Sequence, residues 1–175
     1  MTRIAVVAMA VLLPAAAFHA PDSRAENRQF RAILEGTQEV PALSTDARGS
    51  FRARITNDGG AIWYELAYDD LEGAVTQAHI HVGQRGVNGG IAAFLCSNLG
   101  NGPAGTQACP APPARITGVI TAADIIGPAA QGIAAGELDE LIEALREGVA
   151  YANVHSSLFP GGEIRSQLGH DHDHD

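Results

Sequence analysis

The chain has 175 residues and a formal net charge of −9 at pH 7. Its 11 Lys and Arg residues are scattered along the sequence, whereas nucleic-acid binding needs clustered basic side chains. The composition therefore argues against a nucleic-acid partner. An acidic balance of this kind mainly favours solubility.

The amino terminus has the three-part layout of a secretory signal peptide. Arg3 precedes the apolar run Ile4 to Leu13, which is followed by Pro14 and small residues up to Ala17. This run is about half of the ~20 residues that a membrane-spanning helix requires. No comparable run follows, so we expect no membrane span. Cleavage after Ala17 or after Ala25 would place the signal peptide within residues 1–25. The protein would then be exported to the periplasm, the cell surface or the medium.

Removal of the signal peptide leaves about 150 residues, a common size for one domain. No linker and no internal repeat divides this part of the chain. We therefore expect a single domain over residues 26–168, followed by a separate tail over residues 169–175.

Apolar and polar residues alternate through much of the domain, as they do in strands with one buried face. Asn57-Asp58-Gly59-Gly60 separates two such segments and indicates a tight hairpin turn. Short strands between Gly, Pro and Asn turns predict a mainly β fold, an antiparallel sandwich or barrel. The expected strands are Gln29 to Glu35, Gly49 to Thr56, Ala61 to Tyr68, Val75 to Val82, Ile91 to Cys96, Arg115 to Thr121, Val149 to His155 and Glu163 to Leu168.

The 2 cysteines of the chain, Cys96 and Cys109, bracket a loop rich in Gly and Asn. In an exported protein this pair should be oxidised. Closing a loop of this length stabilises by about 3 kcal/mol in the chain-entropy model. The alternative is a pair of buried free thiols.

One amphipathic helix interrupts the strand pattern near the carboxyl-terminal third. Leu138, Leu141, Ile142 and Leu145 recur at helical spacing, and we expect Gly148 to end the helix. The acidic residues of its first turns favour the helix dipole and form a solvated face rather than a catalytic carboxylate cluster.

Several short motifs follow one another in a fixed order along the domain. They are Gly36-Thr37-Gln38-Glu39-Val40-Pro41, Ala78-His79-Ile80-His81-Val82-Gly83, Gly89-Gly90-Ile91, Tyr151-Ala152-Asn153-Val154-His155-Ser156 and Phe159-Pro160-Gly161-Gly162-Glu163-Ile164-Arg165. With these landmarks the stretch Phe30 to Leu168 resembles the CHRD domain, a module named after chordin and also found in bacterial exported proteins. The resemblance implies an immunoglobulin-like or superoxide-dismutase-like β architecture, and it implies no general activity.

Histidine carries the candidate chemistry of the domain. His79 and His81 are two apart in an expected strand, so they leave one face about 6.6 Å apart, and His155 ends another strand. Three imidazoles suit copper or zinc, and Glu163 or water would complete the shell. Metal affinity should then fall as the pH drops through about 6.5.

Two other interpretations of these histidines stay open at this stage. They would be structural if hydrogen bonds from Asn153, Glu163 and Arg165 fixed them on a semi-buried face, and proton-transfer catalysis is the less favoured third interpretation. A cupin is disfavoured because Gln84 and Arg85 stand where its glutamate belongs. A copper-only dismutase-like enzyme stays open, and standard hydrolase and phosphate-binding motifs are absent from the sequence.

The tail Gly169 to Asp175 alternates His and Asp and has no apolar residue. We expect it to be disordered and to chelate divalent transition metals through His170, His172 and His174. The alternatives are a solubilising acidic end or an artificial extension.

Two functional hypotheses from different classes follow. The first is an exported metal-binding domain that uses the histidine cluster and the tail. The second is a non-catalytic extracellular module that binds another protein through its β surface. The sequence indicates neither the partner nor the oligomeric state.

Overall fold

The computed structural model describes residues 28–169, which form one antiparallel sheet of 8 strands and one α-helix. The mainly β prediction is confirmed, and strand ends differ from expectation by a single residue at most. The predicted signal peptide and the tail residues His170, His172 and His174 lie outside the described residues. The strands are β1 Gln29–Glu35, β2 Arg48–Ile55, β3 Ile62–Asp69, β4 Val75–Val82, β5 Gly90–Ser97, β6 Ala114–Ile120, β7 Ala150–Ser156 and β8 Ile164–Leu168.

The sheet curls into a nearly closed barrel with the strand order β5-β4-β7-β8-β1-β2-β3-β6. The predicted hairpin joins β2 to β3, with Ile55 paired to Ile62 and Gly59 at a φ of 72° in the turn. Only a residue without a side chain adopts this conformation readily. The Tyr64 hydroxyl of β3 donates a hydrogen bond of 2.8 Å to the Leu95 carbonyl of the edge strand β5. The two edge strands, β5 and β6, are linked by the Gln107 amide, which donates to the carbonyls of Leu95 and Thr117.

Alternate side chains of every strand fill the barrel with one apolar core. It includes Phe30, Phe51, Leu66 and Ile80, all at most 1% exposed. Burial of each such side chain contributes roughly 1.5–3 kcal/mol, so this core is the main source of stability.

The helix α1 spans Leu138–Arg146 and packs its Leu141 and Leu145 side chains inward. Its acidic face is exposed, as the sequence predicted. The helix ends in a Schellman motif, in which Val149 N–H bonds the Ala144 carbonyl and Gly148 adopts a φ of 66°. Short 3-10 turns lie at Gly36–Gln38, Ala122–Asp124 and Ala129–Gln131.

A disulfide joins Cys96, at the end of β5, to Cys109, with 5.1 Å between the Cα atoms. The loop between them is further fixed by Asn98. Its amide donates to the Cys109 carbonyl at 2.9 Å and accepts from the Cys109 N–H at 3.0 Å. The loop is thus held by a covalent bond and by a side-chain amide that makes the same pair of hydrogen bonds to Cys109 as a neighbouring strand would.

Part of the barrel is buried on both faces. Every residue of β7 is buried, and so is β4 from Ala78 onward. Loops cover the outer face here: Gly89 and Pro160 contact histidines of these strands, and Glu39 contacts Asn153. The alternation of apolar and polar residues predicts that one face of each strand is exposed to solvent. In β4 and β7 that face is buried instead, because the loops form a second layer over the sheet.

No helix within residues 28–169 is long and apolar enough to cross a membrane.

Candidate metal centre

The three domain histidines lie on two neighbouring strands of the barrel. Ala78, Ile80 and Val82 point into the core, so the alternating His79 and His81 leave the outer face of β4. On β7, Asn153 lies opposite His79, and His155 lies opposite Gln77. The antiparallel register therefore brings His155 beside His79 under the covering loops.

The strand on the other side of β4 is irregular at this point. The pairing of β4 with β5 shifts between Ala78 and His79 and again between Ile80 and His81. Each shift inserts one extra residue into β5, as in a β-bulge, and bulges re-aim side chains next to functional sites. Phe94 of β5 packs edge-on against the His79 ring, with 4.4 Å between centroids.

The three imidazoles converge. The His79 ring centroid lies 5.3 Å from that of His81 and 4.9 Å from that of His155, and 6.0 Å separates His81 from His155. One ligand atom from each residue can be chosen so that all lie within 4.8 Å of one another. The predicted convergence of these residues is therefore a feature of the structure.

Hydrogen bonds fix the tautomers of two of these rings. Nδ1 of His81 lies 3.0 Å from the Gly89 carbonyl, and Nδ1 of His155 lies 3.0 Å from the Pro160 carbonyl. Because a carbonyl only accepts, Nδ1–H must be the donor in both rings. Nε2 of each neutral ring then carries a lone pair. A histidine that donates one N–H to a carbonyl and presents the other nitrogen is the usual form of a metal ligand.

The loop that supplies the His81 acceptor requires glycine. A Cβ on Gly89 would lie 1.7 Å from the Val82 carbonyl oxygen, closer than two atoms approach. Gly89 therefore allows the backbone to run tightly against β4 and to place its carbonyl on His81.

The third ring, His79, contacts His155 directly. Nδ1 of His79 lies 3.1 Å from Nε2 of His155. In the absence of a metal this contact is a hydrogen bond. Two adjacent ligands on one ion, at bonds of about 2.0–2.1 Å, lie about 2.9–3.4 Å apart, so the same separation also suits coordination. The two ligand atoms that lie farthest apart are at most 4.8 Å from each other. They must therefore approach each other by at most about 1.5 Å to reach the separation that coordination requires.

The environment keeps all three imidazoles neutral. His79, His81 and His155 are 0%, 8% and 5% exposed. Burial lowers the pKa of His79 to about 2 and that of His155 to about 4, and the pKa of His81 is also lowered by burial. Only neutral imidazole binds a metal. Protons would thus compete with the ion at a lower pH than the value of about 6.5 expected from the sequence.

Two ring nitrogens at the centre lack a partner within the described part of the chain. They are Nε2 of His79 and Nε2 of His81, both buried. A buried nitrogen left without a hydrogen bond costs about 1–3 kcal/mol. An ion bound through Nε2 of His81 would remove part of that cost. His79 would do the same through Nε2, whereas coordination through its Nδ1 would first require its proton to move to Nε2.

A stack of side chains flanks the centre. The Tyr151 ring lies parallel to the His81 ring at 4.8 Å, with 5° between planes, and the Arg165 guanidinium lies 4.3 Å from the centroid of Tyr151. Arg165 is buried and donates to Asn88 at 2.9 Å. The Tyr151 hydroxyl accepts the Gly89 N–H at 3.0 Å, so the stack also holds the loop that bonds His81.

The Glu163 carboxylate, which the sequence suggested as a further ligand, has hydrogen-bond partners of its own. Its Oε1 accepts the Thr45 hydroxyl at 3.1 Å and the Glu72 N–H at 2.7 Å, and its Oε2 is buried with no hydrogen-bond partner among the described residues. The converging ligand atoms come from histidines, without this carboxylate. Its part in a metal shell stays a prediction.

The hydrogen-bond partners of the histidines differ from those that the sequence suggested. Asn153 donates to Glu39 at 2.8 Å, and Arg165 donates to Asn88 and to the Val87 carbonyl. The recorded ring-nitrogen partners are instead two loop carbonyls and a second imidazole. Backbone acceptors leave no signature in a sequence, and Glu39 and Tyr151 were landmarks of the module without an assigned role.

One comparison with known proteins identifies the family. The family model of the CHRD domain matches residues 30–168, so the chain belongs to the CHRD domain family. In comparisons with curated proteins and with solved structures, nothing matches this chain.

Proposed function

We propose that this CHRD-domain protein is exported and binds one transition-metal ion, copper or zinc, through His79, His81 and His155. The observation that carries the proposal is the convergence of three buried, neutral imidazoles. Two of them are held in the ligating tautomer by backbone carbonyls. The disulfide and the signal-like amino terminus support export, because disulfides persist in oxidising compartments.

Burial of the rings favours retention of an ion over its use in turnover. A catalytic metal site keeps one coordination position open to substrate, and here loops cover the centre. This arrangement supports metal binding or buffering more than a dismutase-like enzyme. The predicted chelating tail would add weaker sites of its own.

The test is metal titration of the full chain with the tail silenced by His170→Asn, His172→Asn and His174→Asn. Equilibrium dialysis followed by elemental analysis should find one copper or zinc ion per chain. His79→Ala with His81→Ala should abolish binding. His155→Ala should weaken it by more than the ~10–100-fold that loss of an outer-shell partner costs.

A matched control is Gln77→Ala, on the same strand and face as the histidines. It removes a polar side chain and leaves the imidazoles in place, so binding should be unchanged. A tail-silenced protein that folds normally and binds no ion would refute the proposal.

The alternative of a protein-interaction module is supported by a different surface. On the outer face of the sheet, Arg31 lies directly opposite Arg52, and Arg54 lies opposite Trp63, which is 38% exposed. The ion pairs among residues 28–169 involve other arginines, Arg48 with Asp70 and Arg115 with Glu65.

Like charges placed opposite one another destabilise a sheet, so a partner with acidic side chains would relieve this face. An open groove of about 420 Å³ runs between these arginines and the tryptophan. Glu65 also lines it, opposite Arg52, but its carboxylate is paired with Arg115, so the groove keeps an excess of positive charge. The occupant that fits is a protein segment rich in Asp and Glu.

The single tryptophan of the chain makes this candidate testable. A poly-glutamate peptide should change Trp63 emission in a salt-sensitive manner, and Arg31→Ser with Arg52→Ser should remove the change. The control is Arg85→Ser. Arg85 is an exposed arginine in the loop between β4 and β5, away from this face, so this variant should bind normally. Emission that does not respond to the peptide, or that responds equally in the double variant, would contradict it.

A further inference from the structure

The ligand set of the histidine centre carries no negative charge. Within residues 28–169, the ligand atoms that converge come from His79, His81 and His155, and the imidazoles are neutral when they bind a metal. The ligands therefore neutralise none of the positive charge of a bound ion. In many zinc sites a thiolate or a carboxylate among the ligands removes part of that charge.

A buried cation acts on the centre. The Arg165 guanidinium contributes a repulsive Coulomb interaction with the charged form of His81, across the ring of Tyr151. Glu39 lies close enough to Arg165 to interact with it electrostatically. Even when Glu39 is ionised, its charge only offsets that of Arg165. Arg165 and Glu39 together thus supply no net negative charge to a bound ion.

The centre is also poorly solvated. His79 is fully buried, and His81 and His155 are less than one-tenth exposed. The free energy of transferring an ion from water to such a site rises with the square of its charge, so a divalent ion costs about four times as much as a monovalent ion of equal size. Without a counter-charge, this difference is not recovered.

The number of protein ligands also favours a monovalent ion. Zn(II) in proteins is usually four-coordinate and tetrahedral, and Cu(II) prefers tetragonal sites. Monovalent copper has a filled d shell and is stable with two or three nitrogen ligands. Three converging imidazoles under a layer of loops suffice for it without a further ligand.

We propose that the histidine triad binds monovalent copper, Cu(I), in preference to Zn(II) and Cu(II). The inference rests on the proposed function, namely that the triad binds a transition metal. It adds the oxidation state of the ion. A site that holds Cu(I) more tightly than Cu(II) also raises the reduction potential of its copper, by about 59 mV for each tenfold ratio of affinities.

The experiment uses the full chain with the tail histidines silenced as above, at neutral pH. Cu(I), kept reduced by ascorbate, is competed against a chromophoric Cu(I) chelator, and Zn(II) and Cu(II) are competed against chelators of their own. Ascorbate is chosen over a thiol so that the Cys96–Cys109 disulfide stays intact. We expect the Cu(I) affinity to exceed those of Zn(II) and Cu(II) by at least 100-fold, about 120 mV for the copper couple.

Two variants test the electrostatic cause. Asn153→Asp, made together with Glu39→Gln so that the new carboxylate does not share a proton with Glu39, places a negative charge opposite His79. Arg165→Met removes the buried cation. Each change should lower the preference for Cu(I) over Zn(II) at least tenfold. The ratio of affinities is the readout, so a general loss of stability leaves the test valid, and either variant suffices if the other does not fold.

The outcomes separate the two proposals. If none of the three ions binds the folded, tail-silenced protein, the proposed function fails. If Zn(II) or Cu(II) binds as tightly as Cu(I), metal binding stands and the preference for Cu(I) is wrong. A Glu163→Gln variant that loses more than tenfold in Zn(II) affinity would also overturn the preference, because a carboxylate would then neutralise the ion.

Discussion

Mild acid should destabilise the metal-free protein through its buried histidines. Burial lowers the pKa of His79 to about 2 and that of His155 to about 4, from an ordinary value of 6.5. Below pH 6.5 the unfolded chain takes up protons at both positions while the folded protein does not. The stabilisation is therefore complete above pH 6.5 and is lost as the pH falls, by about 1.4 kcal/mol per pH unit for each imidazole.

Glu39 acts in the opposite direction. Burial raises its pKa from 4.5 to about 7, so between these values the folded protein holds a proton that the unfolded chain has released. Its contribution is present at low pH and is lost as the pH rises. On unfolding, His79 and His155 together take up two protons and Glu39 releases one, so a net slope of at least about 1.4 kcal/mol per pH unit remains. His81 adds to it in the same direction, because burial lowers its pKa too.

The assay is urea unfolding with a strong chelator present and the disulfide intact, at several pH values between 4.5 and 6.5. The wild-type protein should lose stability as the pH is lowered. Glu39→Gln keeps the shape and removes the opposing titration, so its slope should be steeper by about 1.4 kcal/mol per pH unit. A stability that stays flat or rises toward pH 4.5, or a Glu39→Gln slope equal to that of wild type, would refute the reasoning.

The fold offers two further tests in the same unfolding assay. Replacing Cys96 and Cys109 with Ser should cost about 3 kcal/mol, because the unfolded chain is no longer constrained; an unchanged midpoint would mean that the Asn98 hydrogen bonds alone order the loop. Gly118→Ala places a Cβ 2.5 Å from the Tyr64 hydroxyl oxygen. It should therefore displace the Tyr64 ring and destabilise the protein by about 1–3 kcal/mol. A Tm equal to that of wild type would show that β6 shifts without strain.

Local sequence patterns were sufficient for most of the fold. Alternation and turn residues located each strand to within a residue because they depend on neighbours in the chain, and the helix end followed from Gly148. The burial of the outer face was not predictable in this way. It depends on loops far apart in sequence, such as those of Glu39 and Pro160, that fold over β4 and β7.

The histidines of the candidate centre were also identified from the sequence, because the His79–His81 spacing and the end of β7 constrain where they point. The second layer around them was not. The carbonyls of Gly89 and Pro160 belong to backbone, and any residue type would supply them. The bulges in β5 arise from pairing register, which no local pattern specifies. The sequence also gives no direction to the Glu163 side chain, so its part in a metal shell stays a prediction.

Crystals of the tail-silenced protein grown with copper under reducing conditions would test the central claim most directly. Anomalous diffraction on both sides of the copper absorption edge locates the ion independently of any model of its ligands. We expect one peak per chain, about 2.0–2.1 Å from one nitrogen of each of His79, His81 and His155. A peak located away from these rings, with the His79–His155 hydrogen bond still in place at the centre, would contradict the account.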